Sequence, residues 1–367
     1  MRARTKVCSF LAAVAACVCA IPVLQQVTAP PTARVPWLSR ELFTFDRFLG
    51  WVAGPLVNVG VSMRPSETVV GYDGWQFLGD LHQDAISQHR LAASAQDDAR
   101  NSRLVEAGVA WESWLRRRGV KLFRIMVPPD KQSVYPEQAP SWARTIPGNP
   151  LEQLQGLDDG GVRIFLAPAL VAARAAGGPQ LFYAHDSHWN EAGAWVGYTA
   201  FAEAVGGEVP EVRWIAPDFF SVVGSRERLG GDLARFLHLE DSVREEVPVL
   251  WPAPAEGINS TVALEELPDL SVQGRAVKLA RHHTSGALNT ARVLWLTDSF
   301  GEALRPFMER TFSDVAIIHW GTVMPRPRHL AALVAREQPD YVFVTAVERM
   351  CRERELTSMP PADKGSG

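Results

Sequence analysis

The chain has 367 residues, of which 47% are hydrophobic, and its formal net charge is −4 at pH 7. This length and apolar content suffice for one large core, and with this mildly acidic balance no basic footprint argues for nucleic-acid binding. Three of the four cysteines (Cys8, Cys17 and Cys19) lie near the N-terminus. Cys351 is therefore alone in the body, so no internal disulfide is expected.

The N-terminus has the pattern of a targeting segment. Arg2, Arg4 and Lys6 precede an uncharged, apolar stretch at residues 7–24. Such a segment keeps its own N-terminus in the cytoplasm and sends the rest of the chain across the membrane. The stretch is marginal in length for a span, so residues 1–24 are either a cleaved signal peptide or an anchor in the inner membrane. Both alternatives predict a periplasmic body.

Hydrophobic periodicity predicts the elements of that body in chain order. Residues 25–68 have no clean period, which indicates a linker with a docking segment, and residues 69–79 have the pattern of a hairpin about Asp73-Gly74. Helices are predicted over residues 95–118, 151–157, 171–176, 302–311 and 329–336, and after Asn190 as a cap. Strands are predicted over residues 120–127, 162–166, 180–184, 292–296, 315–318 and 341–344.

Apolar strands that alternate with helices predict an α/β fold, with a parallel sheet covered by helices on both faces. Residues 207–290 show a mixed pattern, apart from a helix near 232–239. The domain is expected to span residues 69–350, and residues 351–367 to form a polar tail.

Ser299 lies where the strand at 292–296 gives way to a helical pattern. A serine at this junction has its hydroxyl at the carboxyl end of a buried strand. Its N–H lies at a helix N-terminus, where partial positive charge can stabilise an oxyanion. Taken alone, the simpler interpretation is that Asp298 or Ser299 caps the helix, because both residue types are favoured there.

A second polar group, at residues 185–190, follows the predicted strand at 180–184. Asp186 and His188 project to the same side of an extended segment, so the carboxylate can accept from imidazole Nδ1 and leave Nε2 as a base. Loops after parallel strands meet at one sheet edge. The sequence therefore predicts a triad with Ser299 as nucleophile, His188 as base and then acid, and Asp186 as the residue that orients the imidazole. Such a triad implies acyl transfer through an acyl-enzyme.

Two alternatives stay open at this point. His185, Asp186 and His188 could bind a metal ion, but no further ligands follow at a motif spacing, so neither a metal nor another cofactor is predicted. In the other alternative, Asp186 and Asn190 are turn and cap residues and Trp189 belongs to the core.

Several motifs resemble those of the AlgX/AlgJ-type polysaccharide (alginate) O-acetyltransferases, which are exported proteins with an SGNH hydrolase-like domain. The family's D-x-H-W-[TN]-x-x-G-A block is matched by Asp186-Ser187-His188-Trp189-Asn190 with Gly193-Ala194. Similar stretches follow the family's order at residues 71–78, 127–137, 231–237 and 297–300. The nucleophile after the Asp–His pair is the family's permuted order, opposite to that of ordinary SGNH hydrolases.

The resemblance implies that a membrane-bound O-acyltransferase partner delivers an acetyl group, which Ser299 passes to a hydroxyl of an exported polysaccharide. Lys131, Trp189 and Arg235 are candidate substrate contacts. Each also suits a structural role, Trp189 in the core and the two cations as surface or capping charges. A periplasmic acetylesterase with the same triad and a non-catalytic polysaccharide assembly subunit are the alternatives.

Overall fold

The computed structural model describes residues 46–272 and 275–362, together with residues 20, 22, 23, 26 and 27. The predicted signal or anchor at residues 1–24 therefore lies almost entirely outside the described residues. Within the described part, no helix has the length and apolar character needed to cross a membrane.

The described elements alternate between helices and strands over most of the chain. The α-helices are α1 (Asp46–Asn58), α2 (Ser87–Arg90), α3 (Ala95–Arg116), α4 (Lys131–Val134), α5 (Pro150–Gln155), α6 (Ala167–Ala175), α7 (Glu191–Gly206), α8 (Asp232–Phe236), α9 (Gly301–Thr311), α10 (Trp320–Val323) and α11 (Pro327–Glu337). The strands are β1 (Thr68–Val70), β2 (Gln76–Leu78), β3 (Leu122–Val127), β4 (Arg163–Phe165), β5 (Ser221–Leu229), β6 (Arg244–Trp251), β7 (Asn259–Val272), β8 (Arg275–Ser285), β9 (Asn289–Thr297), β10 (Phe312–His319) and β11 (Tyr341–Thr345).

A seven-stranded sheet with the order β4-β3-β11-β9-β10-β8-β7 forms the centre of the fold. The strands from β4 to β10 in this order run parallel, and β8 and β7 continue the sheet as an antiparallel hairpin. The prediction of an α/β fold with a mostly parallel sheet is confirmed.

Both faces of the central strands are buried, which explains the continuous apolar runs of these strands. In β9, Val293 and Trp295 pack into one core with α7 and α9, whereas Leu294 and Leu296 pack into a second core with α3 and α11. Alternate residues of a strand point to opposite faces, so a strand buried on both faces must be apolar at every position. Each such side chain contributes roughly 1.5–3 kcal/mol on burial.

The hairpin predicted at residues 69–79 is present. β1 pairs antiparallel with β2, and the turn between them places Asp73 at φ 53° and Gly74 at φ 77°. Asp and Gly tolerate this left-handed region better than most residues, which is why the pair favours a turn.

Residues 180–184 do not form a strand of the sheet, contrary to the prediction. Phe182 makes a single antiparallel bridge to Trp189, and the Leu181 carbonyl accepts from the Asn190 N–H. The segment doubles back on itself, so its backbone groups are paired locally and are not available to a neighbouring strand. The loop at 185–188 therefore reaches the sheet edge by a different route from the one predicted.

Two other stretches are more ordered than the sequence indicated. The predicted linker at 25–68 contains α1, whose Ala53 and Val57 pack against Leu237 and Leu239. Residues 207–290 contain the separate two-stranded sheet β5–β6 and the long hairpin β7–β8. In β5 nearly every residue is exposed, so no buried face imposes an apolar period on this strand.

Candidate active site

Ser299 lies on the short connection between β9 and α9, at the carboxyl edge of the parallel strands, and its side chain is exposed. Asp298 is buried and fixes this connection, because its carboxylate accepts from the N–H of Phe300 at 3.0 Å and from that of Val347 at 2.8 Å. The turn also needs Gly301, since a Cβ there would overlap Thr297 Oγ1 and lie 3.0 Å from Trp295 Cζ2.

The N-cap position of α9 is Phe300, and no side chain caps the helix. Asp298 nevertheless accepts from the Phe300 N–H directly before the helix, so the simpler interpretation holds in part for Asp298 and does not describe Ser299. The Ser299 hydroxyl is left to interact with the loop at residues 185–188.

The structure brings Ser299, His188 and Asp186 together. His188 Nε2 lies 2.8 Å from Ser299 Oγ, and His188 Nδ1 lies 2.7 Å from Asp186 Oδ1. An ionised carboxylate only accepts hydrogen bonds, so Nδ1 carries the proton and Nε2 accepts from the serine hydroxyl. The His188 backbone N–H donates to the same Asp186 oxygen at 3.1 Å, which fixes the carboxylate relative to the imidazole.

Arg228 and the backbone around α8 hold the other oxygen of Asp186. Arg228 Nη2 donates to Asp186 Oδ2 at 2.9 Å, and the Asp232 N–H lies 3.4 Å from the same oxygen. Burial alone would raise the pKa of Asp186, but the hydrogen bonds and charges of His188 and Arg228 outweigh burial and hold this pKa well below its usual range. Asp186 is therefore ionised at neutral pH.

Asp232 is a second carboxylate beside the imidazole. It accepts from the Ser187 N–H at 2.7 Å and from the Ser187 hydroxyl at 2.5 Å, and it lies 3.6 Å from His188 Nδ1. Neither Asp232 nor Arg228 is among the site residues predicted from the sequence. Asp232 lies within the similar stretch at 231–237, whereas Arg228 lies in an exposed strand whose pattern gave no indication of its role.

Lys131, predicted as a substrate contact, is buried. Its Nζ donates to the carbonyls of Gln76 at 2.8 Å and Ala184 at 3.1 Å. Burial lowers the pKa of Lys131 to about 8, although the nearby carboxylates of Glu245, Asp186 and Asp232 oppose this change. Lys131 thus ties the β1–β2 hairpin to the loop of the site.

Of the two other predicted contacts, only Arg235 is exposed, on α8. Trp189 is 1% exposed, and its Nε1 donates to the Phe300 carbonyl at 3.1 Å. The Trp189 ring therefore presents no free face to a sugar in this structure. Its contact with Phe300 instead connects the loop of His188 to the loop of Ser299.

Two groups of possible metal ligands occur among the described residues. They are Asp186, His188 and Asp232 beside Ser299, and His89, Asp130 and Glu348 in the interior. His185, part of the metal alternative, belongs to neither group. In each group one carboxylate is already paired with an arginine, Asp186 with Arg228 and Asp130 with Arg349, and these cations oppose the binding of a metal ion.

The sequence matches the family model described as the SGNH hydrolase-like domain of the acetyltransferase AlgX, over residues 68–262, which is more than half of the chain. The chain belongs to this family. The range that matches the AlgX model contains Asp186, His188 and Asp232 and ends before Ser299, so the position of Ser299 comes from the structure.

Solved structures resemble this AlgX-family chain at low sequence identity, and those with a TM-score above 0.5 share its fold. Bacillus cereus PatB1 with a sulfonyl adduct has a TM-score of 0.54 at 14% identity, over 78% of this chain and 97% of PatB1. A DHHW family protein from Eubacterium siraeum has a TM-score of 0.53 at 13% identity, over 83% of this chain and 98% of that protein. The O-acetyltransferase domain of Pseudomonas putida AlgJ has a TM-score of 0.48 at 21% identity, over 80% and 95%. No curated protein sequence matches the chain.

Proposed function

We propose that the protein is an exported O-acetyltransferase that carries an acetyl group on Ser299 and passes it to hydroxyls of an exported polysaccharide. The observation that carries this proposal is the hydrogen-bonded chain from Ser299 through His188 to Asp186, with distances of 2.8 and 2.7 Å. It occurs in a member of an acetyltransferase family, with the serine at the surface. This arrangement turns a weakly nucleophilic hydroxyl into a strong one.

In the first half of the reaction, Ser299 Oγ attacks the acetyl carbonyl of the donor. The hydroxyl proton passes to His188 Nε2 as the new carbon–oxygen bond forms, and Asp186 stabilises the imidazolium. The bond from the acetyl carbon to the leaving group then breaks, and His188 returns its proton to the leaving group. Acetyl-Ser299 and a neutral imidazole remain.

In the second half, a sugar hydroxyl attacks acetyl-Ser299. His188 Nε2 takes the proton of that hydroxyl, the ester bond to Ser299 Oγ breaks, and the proton returns to Oγ. In each half a negative charge develops on the acetyl oxygen. The Ser299 N–H is available to stabilise this charge, because none of the hydrogen bonds among the described residues uses it, and the N-terminus of α9 adds partial positive charge.

The donor and the compartment complete the proposal. A membrane-bound O-acyltransferase partner supplies the acetyl group across the inner membrane, and the reaction takes place in the periplasm. The resemblance to exported acetyltransferases and the charged, then apolar, sequence of residues 1–24 support this location.

The first experiment tests the role of Ser299. We expect the exported body to release acetate from an acetyl-phenyl ester and to carry a covalent acetyl group on the peptide that contains Ser299. In Ser299→Ala the rate should fall by about a thousandfold or more, and the acetylated peptide should be absent. Ser102→Ala, an exposed serine on α3, is the matched control and should behave as the wild type. Equal rates in Ser299→Ala and the wild type would leave a non-catalytic assembly subunit as the explanation.

A sulfonyl fluoride gives a second measurement of the same serine. One solved PatB1 structure carries a sulfonyl adduct. In this chain we expect Ser299 Oγ to displace fluoride and form a stable sulfonate ester, which mass spectrometry detects on the intact protein. Labelling that persists in Ser299→Ala at the wild-type rate would contradict the assignment.

The second experiment separates transfer from hydrolysis. Because Ser299 is exposed, water can reach acetyl-Ser299 as well as a sugar hydroxyl can. We expect that a deacetylated polysaccharide, added with the acetyl ester, becomes acetylated while the yield of free acetate falls. If free acetate stays the only product at every polysaccharide concentration, the protein is an acetylesterase.

A further inference from the structure

The β5–β6 hairpin places a cation behind the proposed catalytic group. Arg228 is the one residue of β5 that is not exposed, and its Nη2 donates to Asp186 Oδ2 at 2.9 Å. The other oxygen of this carboxylate accepts from His188 Nδ1 at 2.7 Å. Asp186 Oδ2 therefore pairs with the Arg228 guanidinium and Asp186 Oδ1 with the His188 imidazole. Together these two contacts fix the plane of the carboxylate.

The guanidinium of Arg228 is itself held from two further directions. Glu245 lies directly opposite Arg228 in the β5–β6 register, and its Oε1 is 3.3 Å from Arg228 Nη1. The guanidinium also stacks on the ring of Tyr183, with its central carbon 3.9 Å from the ring centroid. The Glu245 side chain is only 5% exposed and accepts from the Ala184 N–H, so it belongs to the buried part of the site. A long side chain fixed in this way loses little further freedom when it binds Asp186.

We propose that Arg228 is a positioning residue that acts on His188 through Asp186. It holds the carboxylate in the plane that directs Oδ1 to Nδ1, and its charge offsets part of the negative charge that would draw a second proton onto the imidazole. His188 Nε2 then remains directed at the Ser299 hydroxyl, 2.8 Å away. This role rests on the proposed acyl-transfer function.

The direction of the effect follows from the charges around the Asp186–His188 pair. Asp232 from α8 lies 3.6 Å from His188 Nδ1, and the Arg228 guanidinium from β5, which Glu245 from β6 also contacts, faces the pair from the other side of Asp186; Lys131 from α4 is the other buried cation near Asp186. Arg228 is the cation that contacts Asp186 directly. Its removal leaves more net negative charge beside the imidazole, so His188 takes up its second proton at a higher pH.

The experiment compares Arg228→Met with Arg226→Met, a control two residues away on the same strand. The Arg226 side chain is 63% exposed and lies 3.9 Å from Glu191. Its replacement removes a cation from the same strand and leaves the contact between Arg228 and Asp186 in place. In Arg228→Met we expect kcat for the acetyl ester to fall about tenfold with KM unchanged. We also expect the acid limb of the pH–rate profile to move up by about half to one pH unit. In Arg226→Met both quantities should match the wild type.

Arg228→Lys keeps the cation but cannot match the planar, two-sided contact of a guanidinium. It should restore the position of the acid limb while kcat stays below the wild-type value. This variant also tests the inference if Arg228→Met does not fold. If Arg228→Met, or a folded Arg228→Lys, shows wild-type kcat and a wild-type profile, Arg228 only supports the hairpin and the inference is overturned.

An NMR titration of the His188 imidazole separates this inference from the proposed function, because it requires no turnover. A higher titration midpoint in Arg228→Met supports the role of Arg228, and an unchanged midpoint overturns it. If the wild type shows no Ser299-dependent turnover, the proposed function fails while the titration still decides whether Arg228 acts on His188.

Discussion

Asp186 is seated against a position where only glycine fits. A Cβ on Gly231 would overlap Asp186 Oδ2 and lie 2.5 Å from its Cγ. The backbone of Gly231 has φ −98°, which any residue can adopt, so the requirement is one of space alone. The position of the carboxylate therefore depends on a missing side chain as much as on its hydrogen-bond partners.

We expect Gly231→Ala to push Asp186 away from His188. Because the carboxylate orients the imidazole, kcat for an acetyl ester should fall about a hundredfold, and overpacking should lower the free energy of unfolding by about 1–3 kcal/mol. Ester kinetics and urea unfolding measure the two effects. Gly224→Ala on β5 is the control, since a Cβ there meets no atom within 4 Å. Wild-type kcat in Gly231→Ala would show that Asp186 is not held by this contact.

For single residues, type and spacing in the sequence predict Asp186, His188 and Ser299 as site residues. The two-residue interval and the strand-to-helix junction are local features that a sequence displays directly. Lys131 and Trp189 could not be placed in the same way. Their burial depends on carbonyls of Gln76, Ala184 and Phe300, which come near only when distant segments fold together.

The start of α7 connects the helix to the loop that carries His188. Asn190 Oδ1 accepts from the Gly193 N–H at 3.0 Å and caps the helix, while its Nδ2 donates to the Gln180 carbonyl at 2.7 Å. Its own N–H donates to the Leu181 carbonyl at 2.9 Å. The side chain and the backbone N–H of this one residue thus join the helix terminus to the segment at residues 180–181, where the loop begins.

We expect Asn190→Ala to lower the free energy of unfolding by about 1–2 kcal/mol and to lower kcat as well, because the loop loses its attachment. Asn190→Asp keeps the cap but loses the N–H group that donates to the Gln180 carbonyl. Its kcat should therefore lie between that of the wild type and that of Asn190→Ala. Ser94→Ala removes the capping box of α3, far along the chain from the site, and should cost about 1 kcal/mol with kcat unchanged. If kcat falls equally in Ser94→Ala and Asn190→Ala, general destabilisation explains the loss.

Elements with a buried face were predictable, and exposed ones were not. The parallel strands and their helices display an apolar period because each has to fill a core. Every residue of β5 except Arg228 is solvent-exposed, so the strand that carries Arg228 has no such pattern. Residues 180–184 have a strand-like composition, but local pairing of Leu181 and Phe182 decided their structure.

In the whole molecule, the site is assembled where three strand ends meet a loop from outside the sheet. Ser299 follows β9, Val347 follows β11 and Lys131 follows β3, and these parallel strands end at the same edge. Asp298 joins the first two through the Val347 N–H, and Lys131 joins the third to the Ala184 carbonyl. Because these contacts span the fold, the geometry of the site and global stability are coupled.

Lys131 makes this coupling measurable through pH. Burial lowers its pKa to about 8 in the folded protein, against an ordinary 10.5, so on raising the pH the folded chain loses this proton before the unfolded chain does. Between these values the unfolded state binds more protons, and stability therefore rises with pH by about 2 kcal/mol from pH 7.5 to 9.5. We expect urea unfolding of the wild type to show this gain relative to Lys131→Met. Lys121→Met, a half-exposed lysine, should keep the wild-type pH dependence. If the free energies of unfolding of Lys131→Met and the wild type change in parallel over this range, burial does not lower the pKa of Lys131 in the folded protein.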